Sequence, residues 1–354
     1  MKRHGNLWPL VTGFPNLLAA AEKAKRGKMK RENVARFHLD LERNLWELHD
    51  ELCSKTYTPG GYETFYIYEP KPRLISAAPY RDRVVHHALC RVLETVFEPT
   101  FIEDSYACRR GKGTHAAIDR FTEFARRNRY VLKCDIRKFF PSTDHEVLRS
   151  VIASKIKDPD VLWLVGTIID HSNPQEPVWQ WFPGDDLLTR GERRRGVPIG
   201  NQTSQFFGNV VLSPFDHFVK ETLRARYYVR YVDDFVIFSD DKAWLHEVRA
   251  ACREFLGGYR LKLHPGKSVI SRVCDGTKFL GYRIFPYHRL LAKENVKRMR
   301  RRLKHMQENY AAGELDAKQV RQRLQSWIGH ASHANTLRLR KRLLYGTTFS
   351  RRQA

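Results

Sequence analysis

Two adjacent aspartates, Asp233 and Asp234, lie between two runs of β-branched and aromatic residues in the segment Tyr228–Phe238. Each run has the composition of a buried strand, and together they predict a β-hairpin with a carboxylate pair at its tip. Burying two like charges between apolar strands is costly unless a cation neutralises them. Carboxylate oxygens are ligands that suit Mg²⁺. The segment therefore predicts a divalent-metal site built on a sheet.

A third carboxylate, Asp135, follows the apolar residues of a strand predicted over Tyr130–Ile136. This strand is far enough from Asp233 along the chain for both to lie side by side in one antiparallel sheet. Three carboxylates could then hold two Mg²⁺ ions, as needed for in-line attack of a 3′-hydroxyl on a nucleotide α-phosphate. An isolated aspartate is more often a helix cap or turn residue. The other Asp-Asp pairs, at 185–186 and 240–241, lie in polar contexts and are interpreted as solvated loop charges.

Helical and strand periodicities both occur along the chain, which favours an α+β fold. Helices are predicted at 14–55, 82–96, 144–156, 202–222 and 245–256, and strands at 62–68, 73–76, 130–136 and 278–285. The polar segment 171–196 is expected to be an exposed insertion. Its Trp179 and Trp181 could stack on bases, but a local hydrophobic anchor is the favoured interpretation.

The formal net charge of +24 indicates a polyanionic partner, because each phosphate that is neutralised releases counterions. A ribosome-associated or merely soluble basic protein is the alternative. Basic residues are concentrated on the helical periodicity after Leu290, which fits a unit that grips phosphates. The six cysteines have no metal-type spacing and are expected to be reduced thiols.

No membrane segment is expected, because the longest apolar run, Val161–Ile169, is too short to span a bilayer. The N-terminal residues lack the apolar core of a signal peptide. We therefore expect a cytoplasmic protein.

Several blocks resemble one enzyme family. Tyr231–Asp234 resembles the Y-x-D-D box of reverse transcriptases, and Asp135–Ser142 resembles their first catalytic motif. Further blocks follow in the family's order: 73–79 and 81–86 resemble the fingers, 263–268 resembles the lysine-bearing motif, and 279–282 resembles the primer-grip hairpin. The chain is identified as a member of the group II intron-like reverse transcriptases of bacteria or phages.

One block differs from the usual reverse transcriptase pattern. Where most members have Q-G-x-x-x-S-P, this chain has Ile199-Gly-Asn-Gln-Thr-Ser-Gln205, the form typical of diversity-generating retroelements. Segments 106–115 and 326–331 also resemble that family. The resemblance implies that a template RNA is copied into cDNA with errors at template adenines, which diversifies a variable-protein gene.

The resemblance implies a right-hand polymerase of α+β class, in which the palm carries an antiparallel sheet. The predicted divisions are an N-terminal helical extension at 1–60, fingers mostly at 61–130, a palm at 131–287 and a basic helical thumb at 288–354. The palm range includes part of the fingers and the insertion near 171–196.

The resemblance also implies the roles of individual residues. Two Mg²⁺ ions, for which Mn²⁺ could substitute, are expected on Asp135, Asp233, Asp234 and the Ile136 carbonyl. Arg73 and Lys71 are expected to contact the triphosphate of the dNTP substrate. Phe140 is expected to act as a steric gate that excludes ribose, and Lys267 as the general acid that protonates pyrophosphate. The block residues Ile199, Gly200 and Gln205 are expected to lie against the incoming nucleotide. The alternatives are a core aromatic for Phe140, a packing residue for Ile199, and surface charges for Arg73 and Lys267.

Ile199 suggests a physical cause of infidelity. In related enzymes a glutamine there packs and hydrogen-bonds around the incoming nucleotide, whereas isoleucine supplies bulk without a donor or acceptor. Losing such a polar contact should narrow the free-energy gap between right and wrong base pairs.

The expected partners are template RNA, its cDNA and a small, basic, oligomeric accessory variability-determinant protein. One rival function is a group II intron-type or defence-associated reverse transcriptase; against it, no endonuclease domain is expected after Ala354. The other is a non-catalytic RNA-binding protein on a polymerase fold.

Overall fold

The computed structural model describes residues 3–68, 72–186 and 188–351. The chain begins with four helices, α1 (Trp8–Thr12), α2 (Phe14–Ala24), α3 (Glu32–Leu39) and α4 (Leu41–Cys53). Their apolar faces pack against the long helix α5 (Tyr80–Phe97), which buries twelve of its residues. The helical periodicity predicted over 14–55 is confirmed, with a break between α2 and α3.

A two-stranded hairpin lies between α4 and α5. Strand β1 (Glu63–Ile67) is exposed at every position and pairs antiparallel with β2 (Arg73–Ala77). Ser76 of β2 is fully buried. The hairpin is therefore fixed to the rest of the protein through β2.

The centre of the molecule is a four-stranded antiparallel sheet with strand order β4-β5-β3-β6. Its strands are β3 (Tyr130–Asp135), β4 (Tyr227–Tyr231), β5 (Asp234–Ser239) and β6 (Val269–Arg272). Alternate residues of β3 enter two different cores: Leu132 belongs to one and Val131 to the other. Because both faces of the sheet are covered at its centre, β5 is buried at its four inner positions, whereas the edge strand β6 has no buried position.

Further helices lie before, between and after these strands. They are α6 (Thr114–Arg127), α7 (Phe139–Ser142), α8 (His145–Ala153), α9 (Pro159–Asp170), α10 (Thr189–Glu192), α11 (Gln202–His217) and α12 (Lys242–Gly258), and α11 continues as a π-helical turn over Phe218–Thr222. Among them, α6 packs against β4, and α12 packs against β3, β5 and β6. Asp144 caps α8, since its side chain accepts hydrogen bonds from the backbone amides of Glu146 and Val147.

The C-terminal part contains a three-stranded antiparallel sheet and three helices. The elements are β7 (Thr277–Phe279), β8 (Tyr282–Ile284), β9 (Arg289–Leu291), α13 (Lys293–Ala311), α14 (Ala317–Ser332) and α15 (Leu337–Tyr345). Gly281 lies in the tight bend between β7 and β8, with φ of 88°. A small core that includes Met299 and Leu303 joins the helices.

The insertion differs from its prediction in two ways. Asp185 is not a solvated loop charge, because its carboxylate is buried against the guanidinium of Arg193. Trp179 and Trp181 are 66 % and 44 % exposed, so the expected hydrophobic anchor is wrong. The buried residues there are instead Val178 and Gln180, which alternate with the tryptophans.

The α+β class is confirmed. Within the described ranges, no helix is long and apolar enough to cross a membrane. The six cysteines all have free thiols, as expected.

Candidate active site

The register of the central sheet brings the three predicted carboxylates together. Asp135 at the end of β3 lies directly opposite Asp234 at the start of β5. Asp233 occupies the two-residue turn between β4 and β5, and its carbonyl accepts a hydrogen bond of 3.1 Å from the amide of Ile136. The hairpin tip predicted from the sequence therefore meets the end of the strand that carries Asp135.

The turn that presents Asp233 has an unusual backbone conformation. Val232, its first residue, has φ of +55°. A β-branched residue rarely adopts a positive φ, and such a conformation costs about 1–3 kcal/mol. Surrounding contacts must therefore hold this turn in place.

Burial and mutual repulsion disfavour the ionised carboxylates. Burial, with a further contribution from Asp234, raises the pKa of Asp233 to about 6. Burial also raises the pKa of Asp234. The positive charge around these two carboxyl groups is therefore too small to keep their pKa values at the level of an exposed aspartate.

Two lysines provide the nearest cations. Lys267 Nζ lies 2.8 Å from Asp135 Oδ2, and Lys133 Nζ lies 3.5 Å from Asp234 Oδ1. Asp234 Oδ1 is buried without a hydrogen-bond partner among the described residues. Lys267 thus lies beside Asp135, and its role as general acid stays a prediction.

The donor set fits a divalent cation. Three carboxylates supply hard oxygen ligands, and Asp234 Oδ1, which lies 3.5 Å from Lys133 Nζ but accepts no hydrogen bond among the described residues, has capacity for another contact. In the part of the chain that the structure describes, no group of three or more His, Cys, Asp or Glu side chains is arranged to hold a metal ion. The cation sites therefore stay a prediction, as does the Ile136 carbonyl ligand.

Asp234 lines a cleft of about 1290 Å³. Arg73, Lys133 and Asp234 line one part of it, and basic residues of α13 and α14, among them Arg298 and Arg323, line another. Arg73 therefore lines the same cleft as Asp234, and its contact with a triphosphate stays a prediction. Lys71 lies outside the described residues.

Phe140 and Phe139 have different environments. Phe139 is a core residue, whereas Phe140 is only half-buried and packs onto that core. A side-chain Cβ at Gly208 would approach both rings, to 3.1 Å for Phe139 and 3.6 Å for Phe140. Phe140, the predicted steric gate, is thus the more exposed of the two phenylalanines.

The block 199–205 is joined to strand β2. Ser76 N donates to Ile199 O at 2.9 Å, and buried Asn201 joins the same strand by donating to Ser76 O at 3.1 Å and accepting from Ala78 N at 3.3 Å. Gly200 has φ of +122°, and a Cβ there would meet Ile75 at 3.0 Å. Ile199 and Gly200 therefore sit against the strand that begins with Arg73. Gln205 is exposed on the first turn of α11.

Lys133, Asn201 and Arg230 were missed by the sequence reasoning. Lys133 precedes Asp135 by two residues in β3, so both side chains share one face of the strand. Arg230 is a charge inside an apolar strand, which requires a buried partner. The positions of Lys133 and Arg230 within their strands could have indicated both residues from the sequence, whereas nothing in the sequence indicated Asn201.

The fold and the site define a right-hand nucleic-acid polymerase, with an antiparallel sheet that carries acidic residues and basic helices across a cleft. The sequence model of the family described as reverse transcriptase (RNA-dependent DNA polymerase) matches residues 68–284, more than half of the chain. The chain belongs to the reverse transcriptase family.

Individual relatives are distant. Protein YkfC of Escherichia coli (strain K12) is 26 % identical over 277 residues, which cover 67 % of this chain and 70 % of YkfC. The group II intron-encoded protein LtrA of Lactococcus lactis subsp. cremoris is 24 % identical over 181 residues, which cover 50 % of this chain and only 28 % of LtrA.

Among solved structures, apo telomerase from Candida tropicalis, truncated from its C-terminal domain, aligns with a TM-score of 0.48 and 14 % identity, over 69 % of this chain and 59 % of that one. The predicted family is thus confirmed by its sequence model, and the diversity-generating subfamily stays a prediction.

Proposed function

We propose that the chain is an RNA-directed DNA polymerase that extends a primer with dNTPs on an RNA template. The observation that carries this function is the sheet register, which supports a joint role for Asp135, Asp233 and Asp234 at the end of a cleft lined by Arg73. In the reaction the primer 3′-oxygen forms a bond to the α-phosphorus. The α–β phosphoanhydride bond breaks and pyrophosphate leaves.

Different residues of the chain have different roles in this proposed reaction. Divalent cations held by the three aspartates and the Ile136 carbonyl would lower the pKa of the 3′-hydroxyl and neutralise the leaving pyrophosphate. Arg73 binds the triphosphate, and its fork of donors suits phosphate oxygens. Lys267, once released from Asp135, donates a proton to pyrophosphate. The proposed divisions are the extension at 1–60, the fingers at 61–130, the palm at 131–287 and the thumb at 288–354.

The test is primer extension by the purified chain on an RNA template with dNTPs and Mg²⁺. Labelled DNA should accumulate only when template, primer and divalent cation are all present. If the chain binds RNA tightly but incorporates no dNTP with Mg²⁺ or Mn²⁺, with or without added accessory protein, it is the non-catalytic RNA-binding alternative.

Metal binding should weaken in acid, because protons compete for Asp233. With a carboxyl pKa of about 6, Asp233 is mostly ionised at pH 7 and mostly protonated at pH 5. The Mn²⁺ dissociation constant should rise about tenfold between pH 7 and pH 5. Titration calorimetry at fixed ionic strength measures it, and a constant affinity over that range would contradict a role for Asp233 as ligand.

We further propose that the enzyme is an error-prone polymerase of a diversity-generating retroelement. The support is the block 199–205, with Ile199 in place of glutamine and held against β2 by the Ser76 hydrogen bond. The proposed setting is the cytoplasm of a bacterium or a phage-infected cell. Its partners are a template RNA, the cDNA and a small, basic, oligomeric accessory protein.

Ile199→Gln should make DNA synthesis more accurate opposite template adenine. The new amide can hydrogen-bond near the nascent pair, so misincorporation at adenine should fall about tenfold, equivalent to about 1.4 kcal/mol of discrimination. Sequencing of cDNA from one defined RNA measures the error at each template base. Ile199→Leu is the matched control and should keep the error rate; no fall in Ile199→Gln would mean that Ile199 is a packing residue.

A second candidate is an intron-type or defence-associated reverse transcriptase. The similarity to LtrA, a group II intron-encoded protein, favours the intron-type form. Accurate copying of adenine by the wild-type enzyme, with cDNA made from an intron RNA, would select this candidate.

A further inference from the structure

Arg230 is a fully buried arginine in the middle of β4. Its side chain and that of Asp216 on α11 are both 0 % exposed. Nε donates to one carboxylate oxygen at 2.7 Å and Nη2 donates to the other at 2.6 Å. The Tyr228 hydroxyl also donates to Asp216, at 2.7 Å. Because Asp216 balances the charge of Arg230, any influence of this pair on the active site must act through geometry.

The third nitrogen of Arg230 connects the ion pair to the active-site turn. Nη1 donates to the carbonyl of Val232 at 3.1 Å and to Oδ1 of Asn209 at 3.2 Å. Val232 is the residue with φ of +55°, and it directly precedes Asp233. A buried pair anchored on α11 thus reaches the backbone of the strained turn.

The end of β4 is also held from its other side. The amide of Arg230 donates to Asp104 O at 3.0 Å, and its carbonyl accepts from Tyr106 N at 3.0 Å. The next residue, Tyr231, accepts a hydrogen bond of 3.1 Å from the Thr114 hydroxyl. With the strand fixed on this side, the contact from Nη1 determines where the turn carbonyl lies.

We propose that Arg230 is a positioning residue for the metal-binding carboxylates: it holds the turn at Val232 in the conformation that presents Asp233 and Asp234 to a divalent cation. Stability alone does not account for the arginine, because well-packed apolar residues often replace a buried ion pair without loss. Only a guanidinium reaches both carboxylate oxygens and the turn carbonyl at once. This inference rests on the proposed function, since it assigns the carboxylates a metal.

The test is Mn²⁺ binding by Arg230→Lys, measured from the electron paramagnetic resonance signal of free Mn²⁺ in the absence of nucleotide. The single nitrogen of lysine cannot span both contacts, so affinity should fall about 10- to 100-fold. Adding Val232→Gly should restore at least part of it, because glycine adopts the positive φ without help.

Arg193→Lys is the matched control, because Arg193 forms a buried ion pair with Asp185 in the insertion. It should lower thermal stability but keep the wild-type Mn²⁺ affinity. If Arg230→Lys also keeps that affinity, or if Val232→Gly restores nothing, the positioning role is wrong.

Asn209→Ala decides the question if Arg230→Lys does not fold, since it removes an acceptor of Nη1. It also removes the hydrogen bond of 2.8 Å that the Asn209 amide donates to the Ala107 carbonyl, so thermal stability is measured on the same sample. A several-fold weaker Mn²⁺ affinity would support the proposal, and an unchanged affinity would overturn it. If the wild-type protein neither binds Mn²⁺ nor extends primers, the failure belongs to the proposed function.

Discussion

Asp233→Asn is expected to abolish DNA synthesis while making the folded protein more stable at neutral pH. The loss of activity follows from removing a charged ligand beside the reacting phosphate, and should be about 10³-fold or more. Retained binding of RNA should accompany it, because the basic helices that line the cleft are untouched. Primer extension and RNA binding measure the two effects on one sample.

The gain in stability follows from the pKa of the carboxyl. Asp233 has a pKa of about 6 in the folded protein against 3.8 as an ordinary carboxyl, so the folded state holds a proton that the unfolded state has lost. Stability therefore falls as pH rises from about 4 to 6, and the loss is complete above that window. Asparagine cannot ionise, so the melting temperature at pH 7 should rise by about 2–4 °C.

Asp240→Asn is the matched control, because Asp240 belongs to an exposed Asp-Asp pair. It should keep full activity and gain no stability. An Asp233→Asn protein that still extends primers would refute the assigned site, and one that melts earlier than wild type would refute the burial argument.

Phe140→Ala is expected to admit ribonucleotides. Removing the half-buried ring opens space where a ribose 2′-hydroxyl would otherwise clash, so discrimination between dNTP and rNTP should fall about 100-fold. The ratio of kcat/KM for dCTP and CTP on one template measures it.

Phe140→Tyr keeps the ring and should keep the discrimination. If Phe140→Ala retains full selectivity against CTP but unfolds at lower temperature, Phe140 is a core aromatic and the gate lies elsewhere.

Residues whose role depends on local pattern were predictable. The hairpin at Asp233, the strand of Asp135 and the cap at Asp144 follow from side-chain alternation and backbone hydrogen-bonding needs. The pairing of these two strands in one sheet was expected, because buried carboxylates that lie together can be neutralised by the same cations.

Contacts between distant segments were not predictable in the same way. Asn201 reaches strand β2 from more than a hundred residues away, and Asp185 finds its partner in a segment that looked merely polar. Trp179 and Trp181 were assigned to an anchor on residue type, but alternation within the insertion buries their neighbours. Tertiary packing determines which of these side chains are buried and which partners they contact, and a single sequence does not reveal that packing.

The hydrogen bonds between Ser76, Ile199 and Asn201 have a consequence for how this enzyme can evolve. These hydrogen bonds join the strand that begins with Arg73 to the block that contains Ile199. A substitution that shifts either one also shifts the other. If Arg73 binds the triphosphate and Ile199 sets accuracy, as proposed, catalytic speed and copying accuracy change together, so variants chosen for a faster rate should carry an altered error spectrum.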